Sequence, residues 1–287
     1  MYKIIAHPGS AHKDDFMSVS VLLAILGDAK VFRREPTSEE LADPDTYVVD
    51  VGMEYTPDRN NFDHHQDPSL PCAFHLVMQH LGHHDAAMSM FVWYPHMSMM
   101  DVRGPYQTAE HLGIDSSVLF ASSSPIDGYI LSRFSRHDSL EKNDLLYEFM
   151  KALGQDMLAL IERKMKRLAR LKLEAQVVQI GHLKAITSSI DKSPKLAMEL
   201  YLRHLNDDAI VMSITPSVRG AGWELLRLGD NRVVDFLKIK DYPEVSFVHA
   251  NGFLAKTEFR LPLEEVIQLA SHAVADFGAV DDTGTDL

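Results

Sequence analysis

The stretch that most constrains this chain is Tyr47-Val48-Val49-Asp50-Val51-Gly52, an apolar run broken by one aspartate. A buried, unpartnered carboxylate is too costly to keep, so Asp50 must meet partners where its strand ends. Tyr2 to His7 repeats the design with an imidazole at the end, and Ala29 to Arg34 supplies another short strand. Between the first two lies Asp14 to Leu26, largely apolar and stopped by Gly27, which reads as a buried helix. Near-continuous apolar strands alternating with helices indicate an α/β fold with a parallel sheet covered on both faces. Ligands of such sheets bind beyond the carboxyl ends of the strands, where His7 and Asp50 lie.

The turn Pro8-Gly9-Ser10-Ala11 leads to His12 and Asp14. Asn61 to His65 reads as a further strand or strand end carrying Asp63-His64-His65, and Ala73 to Leu81 as a helix. Ala86 to Met100 is apolar and methionine-rich before Asp101-Val102-Arg103-Gly104-Pro105. A long helical pattern spans 140–174, with only Gly154 against it. Beyond Ala175, strands are expected at 176–180, 185–187, 209–214, 223–228 and 232–239, and the segment 245–254 leads on to Phe259. Helices are expected over 194–205 and from Pro262, with a frayed tail at 281–286. The domains expected are 1–145 (metal-binding and catalytic), 146–175 (a linking helix) and 176–287 (a smaller α/β substrate-binding domain).

His7, His12, Asp14, Asp50, His64 and Asp101 are the candidate metal ligands, with Asp50 as the bridging carboxylate. Imidazole nitrogen mixed with carboxylate oxygen suits divalent transition metals, manganese (or magnesium) first. A pair of such ions about 3.5–4 Å apart polarises phosphate and generates hydroxide near neutral pH. His65 points the other way from His64 in an extended segment and is the candidate phosphate contact.

Composition narrows the partners. A net charge of −13 argues against tight non-specific binding to a nucleic-acid duplex, but leaves room for a short single-stranded substrate. Cys72 is the one cysteine, so no intramolecular disulfide or thiolate cluster is expected. No apolar run approaches the ~20 residues that cross a bilayer. The start carries no signal-peptide pattern, and a reducing cytoplasm is the simplest home. The methionine-rich stretch is compatible with a homodimer.

Other motifs have plainer readings. Asp63 is favoured as an acceptor that orients its histidines. His83-His84-Asp85 follows a helix end, where polar residues are ordinary. His75 and His80 do not share a helix face well and are assigned structural or solvent roles. The methionines at 88, 90, 97, 99 and 100 fill core or form an apolar contact surface. The basic run Arg163 to Lys172 reads as the solvated face of a helix, with a nucleic-acid contact as the alternative.

In combination, His7-x-Gly9-x-x-His12-x-Asp14-Asp15, Val48-Val49-Asp50-Val51-Gly52 and Phe62-Asp63-His64-His65-Gln66 resemble the MYG-type family of predicted metal-dependent hydrolases. That family includes 3′→5′ exonucleases and falls in the DHH phosphoesterase superfamily. His80-Leu81-Gly82, Gly220-Ala221-Gly222-Trp223 and Phe247-Val248-His249-Ala250-Asn251-Gly252-Phe253 are similar to later features of the family. The resemblance implies an N-terminal α/β domain, a linking helix, a smaller α/β domain and an active site in the cleft between the two domains. It implies the six ligands above, phosphate binding by His65, and substrate contacts from His249 and Arg219. The chain departs from the family at Ala11, Asp15, Asp101-Val102-Arg103-Gly104 and Leu254-Ala255-Lys256. The activity expected is divalent-metal-dependent phosphodiester hydrolysis at short or single-stranded RNA or DNA ends, with Asp50 and His65 central to catalysis. The alternatives are hydrolysis of a small phosphate ester, cyclic dinucleotide or pyrophosphate, and a catalytically silent metal-binding module.

Overall fold

The computed structural model describes residues 1–122, 124–189, 195–229 and 231–274. It divides into two compact units, Met1–Arg163 and Lys164–Leu287. Each has one mixed six-stranded sheet with helices. The fold is α/β.

In the first unit, β1 (Tyr2–Ala6) lies between β2 (Ala29–Arg33) and β3 (Thr46–Val49), parallel to both. β3 pairs in parallel with β5 (Asn61–Phe62), whose other side carries the antiparallel β4 (Tyr55–Thr56). Ile4, Ile5, Ala6, Val48 and Val49 have no solvent exposure, as their unbroken apolar runs require. The parallel direction places the ends of β1, β3 and β5 along one edge, so His7, Asp50 and Asp63 follow adjacent strands.

α1 (Lys13–Leu26) is buried along most of its length and stops at Gly27, whose φ of 77° ends the helix. α2 (Ser38–Ala42) is a short helix capped by Thr37. α3 (Ala73–His80) packs against α1. The long helix α8 (Leu145–Glu174) carries Gly154 where it crosses α1. A Cβ there would collide with the Ser20 backbone carbonyl. The residue that looked out of place in a helical pattern is therefore what allows the close crossing.

Two local expectations need correction. The long helix begins at Leu145, not near 140, because β6 (Ser139–Leu140) pairs antiparallel with β2. The strand at 61–65 ends at Phe62, because the Asp63 carboxylate takes the amides of His64 and His65 in place of a ladder partner. The apolar stretch from Ala86 is divided between α4 (His84–Met90) and α5 (Trp93–Leu112). α5 kinks at Gly104 (φ 75°), just before Pro105, since proline supplies no amide and crowds the preceding turn. α6 (Ser116–Ala121) and α7 (Pro125–Phe134) complete the helical excursion that returns at β6.

The second unit has strand order β11-β12-β10-β9-β8-β7. These are β7 (Gln176–Ile180), β8 (Leu183–Thr187), β9 (Ile210–Pro216), β10 (Trp223–Arg227), β11 (Val245–Val248) and β12 (Leu254–Thr257). β8 and β9 are parallel and the remaining pairs antiparallel. α9 (Lys195–Leu205) and α10 (Leu263–Ser271) accompany the sheet. Trp223 is anchored by its Nε1–H, which donates to the Leu261 carbonyl at 2.8 Å. No strand forms over 232–239. Phe236–Ile239 is a 3-10 turn instead, begun by the Asp235 side chain accepting from Leu237 N at 2.9 Å. The expected tail at 281–286, and Pro194 ahead of α9, lie outside the described residues. Among the described residues, no helix is long and apolar enough to cross a membrane.

Candidate metal centre

Four of the proposed ligands converge. Asp14, Asp50, His64 and Asp101 each offer an atom within 4.8 Å of the others, and Asp50, His64 and His65 form an overlapping group. Asp14 comes from the first turn of α1, Asp50 follows β3, His64 follows β5, and Asp101 projects from α5 ahead of its kink. His64 Nε2 stands 3.1 Å from both Asp50 Oδ1 and Asp101 Oδ2. His12 Nδ1 is 3.6 Å from Asp101 Oδ1. His7 is at the rim, its ring stacked on His12 at 5.7 Å and on His65 at 6.2 Å. The structure thus brings a core of four together, with His7 and His12 beside it.

Asp50 adopts φ 59°, the left-handed region that non-glycine residues seldom occupy. Its amide donates to the Phe62 carbonyl at 3.1 Å, which fixes the turn. Strain of this kind persists only where surrounding structure over-determines it. Gly52, at φ 96°, follows so closely on Pro36 and Leu41 that a Cβ would lie 3.0 Å and 3.2 Å from them.

The electrostatics are those of a site short of positive charge. Both carboxylate oxygens of Asp14 and Oδ2 of Asp50 are buried without a hydrogen-bond partner. Buried polar groups are nearly always partnered. Burial, then the charges of Asp50 and Asp101, raise the Asp14 carboxyl well above its ordinary range. Burial works against charge on His64, but hydrogen bonds to Asp101 and Asp50 prevail and raise its imidazole to about 10. The orphaned oxygens and the mixed oxygen and nitrogen donors fit a divalent ion.

Asp63 has a different position. Its Oδ1 accepts from the amides of His64 and His65 at 2.7 and 3.2 Å and lies 2.7 Å from His65 Nδ1, and its Oδ2 accepts from Met53 N at 2.6 Å. Burial opposes ionisation of Asp63, yet the bonds from His65 and Met53 hold its carboxyl below the ordinary range. With both oxygens engaged, it orients the two histidines, whose rings stack at 4.5 Å rather than pointing opposite ways as an extended segment would have them. His83 and His84 lie outside the cluster. His84 Nδ1 is 3.1 Å from the Tyr94 hydroxyl, and His75 Nε2 donates to the Tyr94 carbonyl at 2.9 Å.

One residue of this neighbourhood was not singled out in the sequence. Arg33, at the end of β2, has its side chain 2% exposed and lies under the loop from β1 to α1. A charge closing an apolar strand was the available signal, the same one that marked Asp50. In the second unit, Arg219 and His249 line one cavity of about 580 Å³ with Phe247, Glu224 and Lys256. Lys256 Nζ is 3.4 Å from Glu224 Oε2.

Residues 3–79 match the model of the MYG1_exonuc family, described as an uncharacterised protein family (UPF0160). The N-terminal quarter carries that family's pattern. It contains all the proposed ligands except Asp101. No curated protein matches the chain. Among solved structures, exonuclease RecJ bound to manganese is similar at 15% identity and a TM-score of 0.31, over 94% of this chain and 90% of that one. An exopolyphosphatase-related protein from Bacteroides fragilis is similar at 10% identity and a TM-score of 0.27, over 95% and 91%. RecJ from Thermus thermophilus in complex with Mn2+ is similar at 14% identity and a TM-score of 0.30, over 94% of this chain and 51% of that one. These are loose likenesses.

Proposed function

We propose that this protein is a divalent-metal-dependent phosphodiester hydrolase that shortens single-stranded or short nucleic acids from their ends. One observation carries the reading. Three buried carboxylate oxygens, on Asp14 and Asp50, lack partners where His64 and Asp101 also converge. The match of residues 3–79 to the MYG1_exonuc family supports it.

His7, His12, Asp14, Asp50, His64 and Asp101 would hold the metal, and Asp50, common to both overlapping groups, is suited to bridge two ions. Manganese or magnesium would neutralise phosphoryl charge and make water acidic enough to attack near neutral pH. Asp63 fixes the His65 ring through Nδ1, which leaves the other ring nitrogen, Nε2, to face the substrate phosphate. His65 is 44% exposed on its side chain, so a substrate can reach it. Arg219 and His249 would be substrate-binding residues, with 1–145 as catalytic domain, 146–175 as linking helix and 176–287 as substrate-binding domain. Localisation in the cytoplasm belongs to the same proposal.

A second reading keeps the site and changes the substrate to a small phosphate ester. The net charge of −13 favours it, because a long polyanion would be repelled. One experiment separates the two. Metal-stripped protein is given manganese and end-labelled RNA and DNA of two to about twenty nucleotides, beside small phosphate esters, with Asp50→Asn as control. Stepwise shortening that needs metal and Asp50 supports the nuclease. Turnover confined to small esters moves the substrate, and metal binding without any turnover overturns hydrolysis.

A further inference from the structure

Arg33 holds the loop that carries two of the proposed ligands, His7 and His12, and leads into a third, Asp14. Its Nη1 donates to the Gly9 carbonyl at 3.0 Å, and its Nη2 to the Ser10 carbonyl at 3.2 Å and to Asp15 Oδ2 at 3.4 Å. Nη1 also reaches the Phe134 carbonyl at the end of α7 at 3.5 Å, and the guanidinium lies 4.6 Å over the Phe134 ring. The contacts continue to the ligands. The Ser10 carbonyl also lies 3.3 Å from His7 Nδ1, and Asp15 Oδ1 accepts from the His12 amide at 3.0 Å. Asp15 itself is fully buried and sits beside Asp14 in the first turn of α1.

We infer that Arg33 and Asp15 are positioning residues for the metal centre, setting the β1–α1 loop that places His7 and His12 beside Asp14. This rests on the reading of the site as a metal centre and adds to it which residues preorganise the site. A planar guanidinium with five donors is the side chain that serves several acceptors in fixed directions. The pair is poorly explained as a stability device, because burying two charges costs about as much as their attraction returns. Groups that orient metal ligands typically govern affinity by about 10–100-fold.

The test is calorimetric titration of Mn2+ into the wild-type protein, Arg33→Lys, Asp15→Asn and Glu40→Gln, with each fold checked by circular dichroism. Glu40→Gln removes the neighbouring Arg34–Glu40 pair, which lies at 2.7 Å outside the loop, and serves as the destabilised control. Lysine keeps the charge of Arg33 but not the fork. The expected result is a Mn2+ dissociation constant raised about 10–100-fold in Arg33→Lys, raised also in Asp15→Asn, and unchanged in Glu40→Gln. Wild-type affinity in a folded Arg33→Lys overturns the inference while leaving the metal centre in place. If Arg33→Lys fails to fold, Asp15→Asn decides: weakened binding supports the inference and wild-type affinity overturns it. A wild-type protein that binds no Mn2+ overturns the metal centre and, with it, the role given to Arg33.

Discussion

His64 Nε2 lies 3.1 Å from Asp50 Oδ1, joining the chain after β5 to the chain after β3 across fourteen residues. With Asp101 at the same distance on another side, the imidazole stands among carboxylates as a proton-carrying substitute for a cation. A metal ion must displace that proton.

Metal binding is therefore expected to release protons. Burial disfavours the charged imidazole, but the bonds to Asp101 and Asp50 raise His64 to about 10, so it carries its proton at pH 7. Coordination requires the neutral ring. Titration of Mn2+ at pH 7 in buffers of different ionisation enthalpy should show release of at least one proton, and affinity should rise with pH. The metal should also stabilise the fold, by about 2.7 kcal/mol at a hundred times the dissociation constant. Affinity independent of pH would contradict the arrangement.

Asp50→Asn and Asp50→Ala should separate chemistry from backbone strain. Asparagine tolerates the left-handed region better than alanine, and Asp50 sits there at φ 59°. Both variants should lose at least about 100-fold in hydrolysis, since even groups behind the ligands control that much. Asp50→Asn should melt close to the wild type, and Asp50→Ala lower by about 1–2 kcal/mol from the left-handed penalty. Thermal melts beside activity measurements decide it, and equal stability of the two would remove the strain argument.

Gly154→Ala tests packing against propensity. Alanine favours an exposed helix interior by about 1 kcal/mol, so a helix-only view expects stabilisation. The added Cβ would strike the Ser20 carbonyl of α1, and overpacking costs about 1–3 kcal/mol. Net destabilisation is expected in denaturant melts, and a more stable variant would show that the crossing can relax.

The His75 site should impose a pH dependence on stability. Burial holds its imidazole down at about 4, against the raising effect of the bond to Tyr94. The unfolded chain therefore binds the proton first as pH falls below about 6.5. Stability is full above that value and falls between pH 6.5 and 4, by roughly 3 kcal/mol. His75→Phe, which keeps a ring against Tyr94 at 3.8 Å, should be less stable at pH 7.5 yet lose less between pH 7 and 4.5. Parallel slopes for the two proteins would contradict this.

The ends of β1 and β3 were legible because an ionisable group closing an apolar run has few places to go. The sequence makes β5 look longer than it is, because the Asp63 side chain imitates a ladder partner and sequence spacing alone does not distinguish the two. Gly154 was visible only as an anomaly, since its reason lies in α1. The charge of Arg33 at a strand end is legible, but its task is not: the carbonyls of Gly9 and Ser10 that it serves are backbone atoms, which leave no mark in residue identity. The 3-10 turn at Phe236–Ile239 was hidden by apolar residues that suit a strand equally well.

Five of the six proposed ligands belong to the first sixty-six residues, and Asp101 alone arrives on the helical excursion between α3 and β6. The sheet and one arm of the proposed metal centre are thus separately editable. Changes in the length or kink of α5 would move Asp101 while the sheet and α1 keep the other proposed donors in place. An engineer could exchange that excursion to tune metal preference, and natural divergence has the same route open to it.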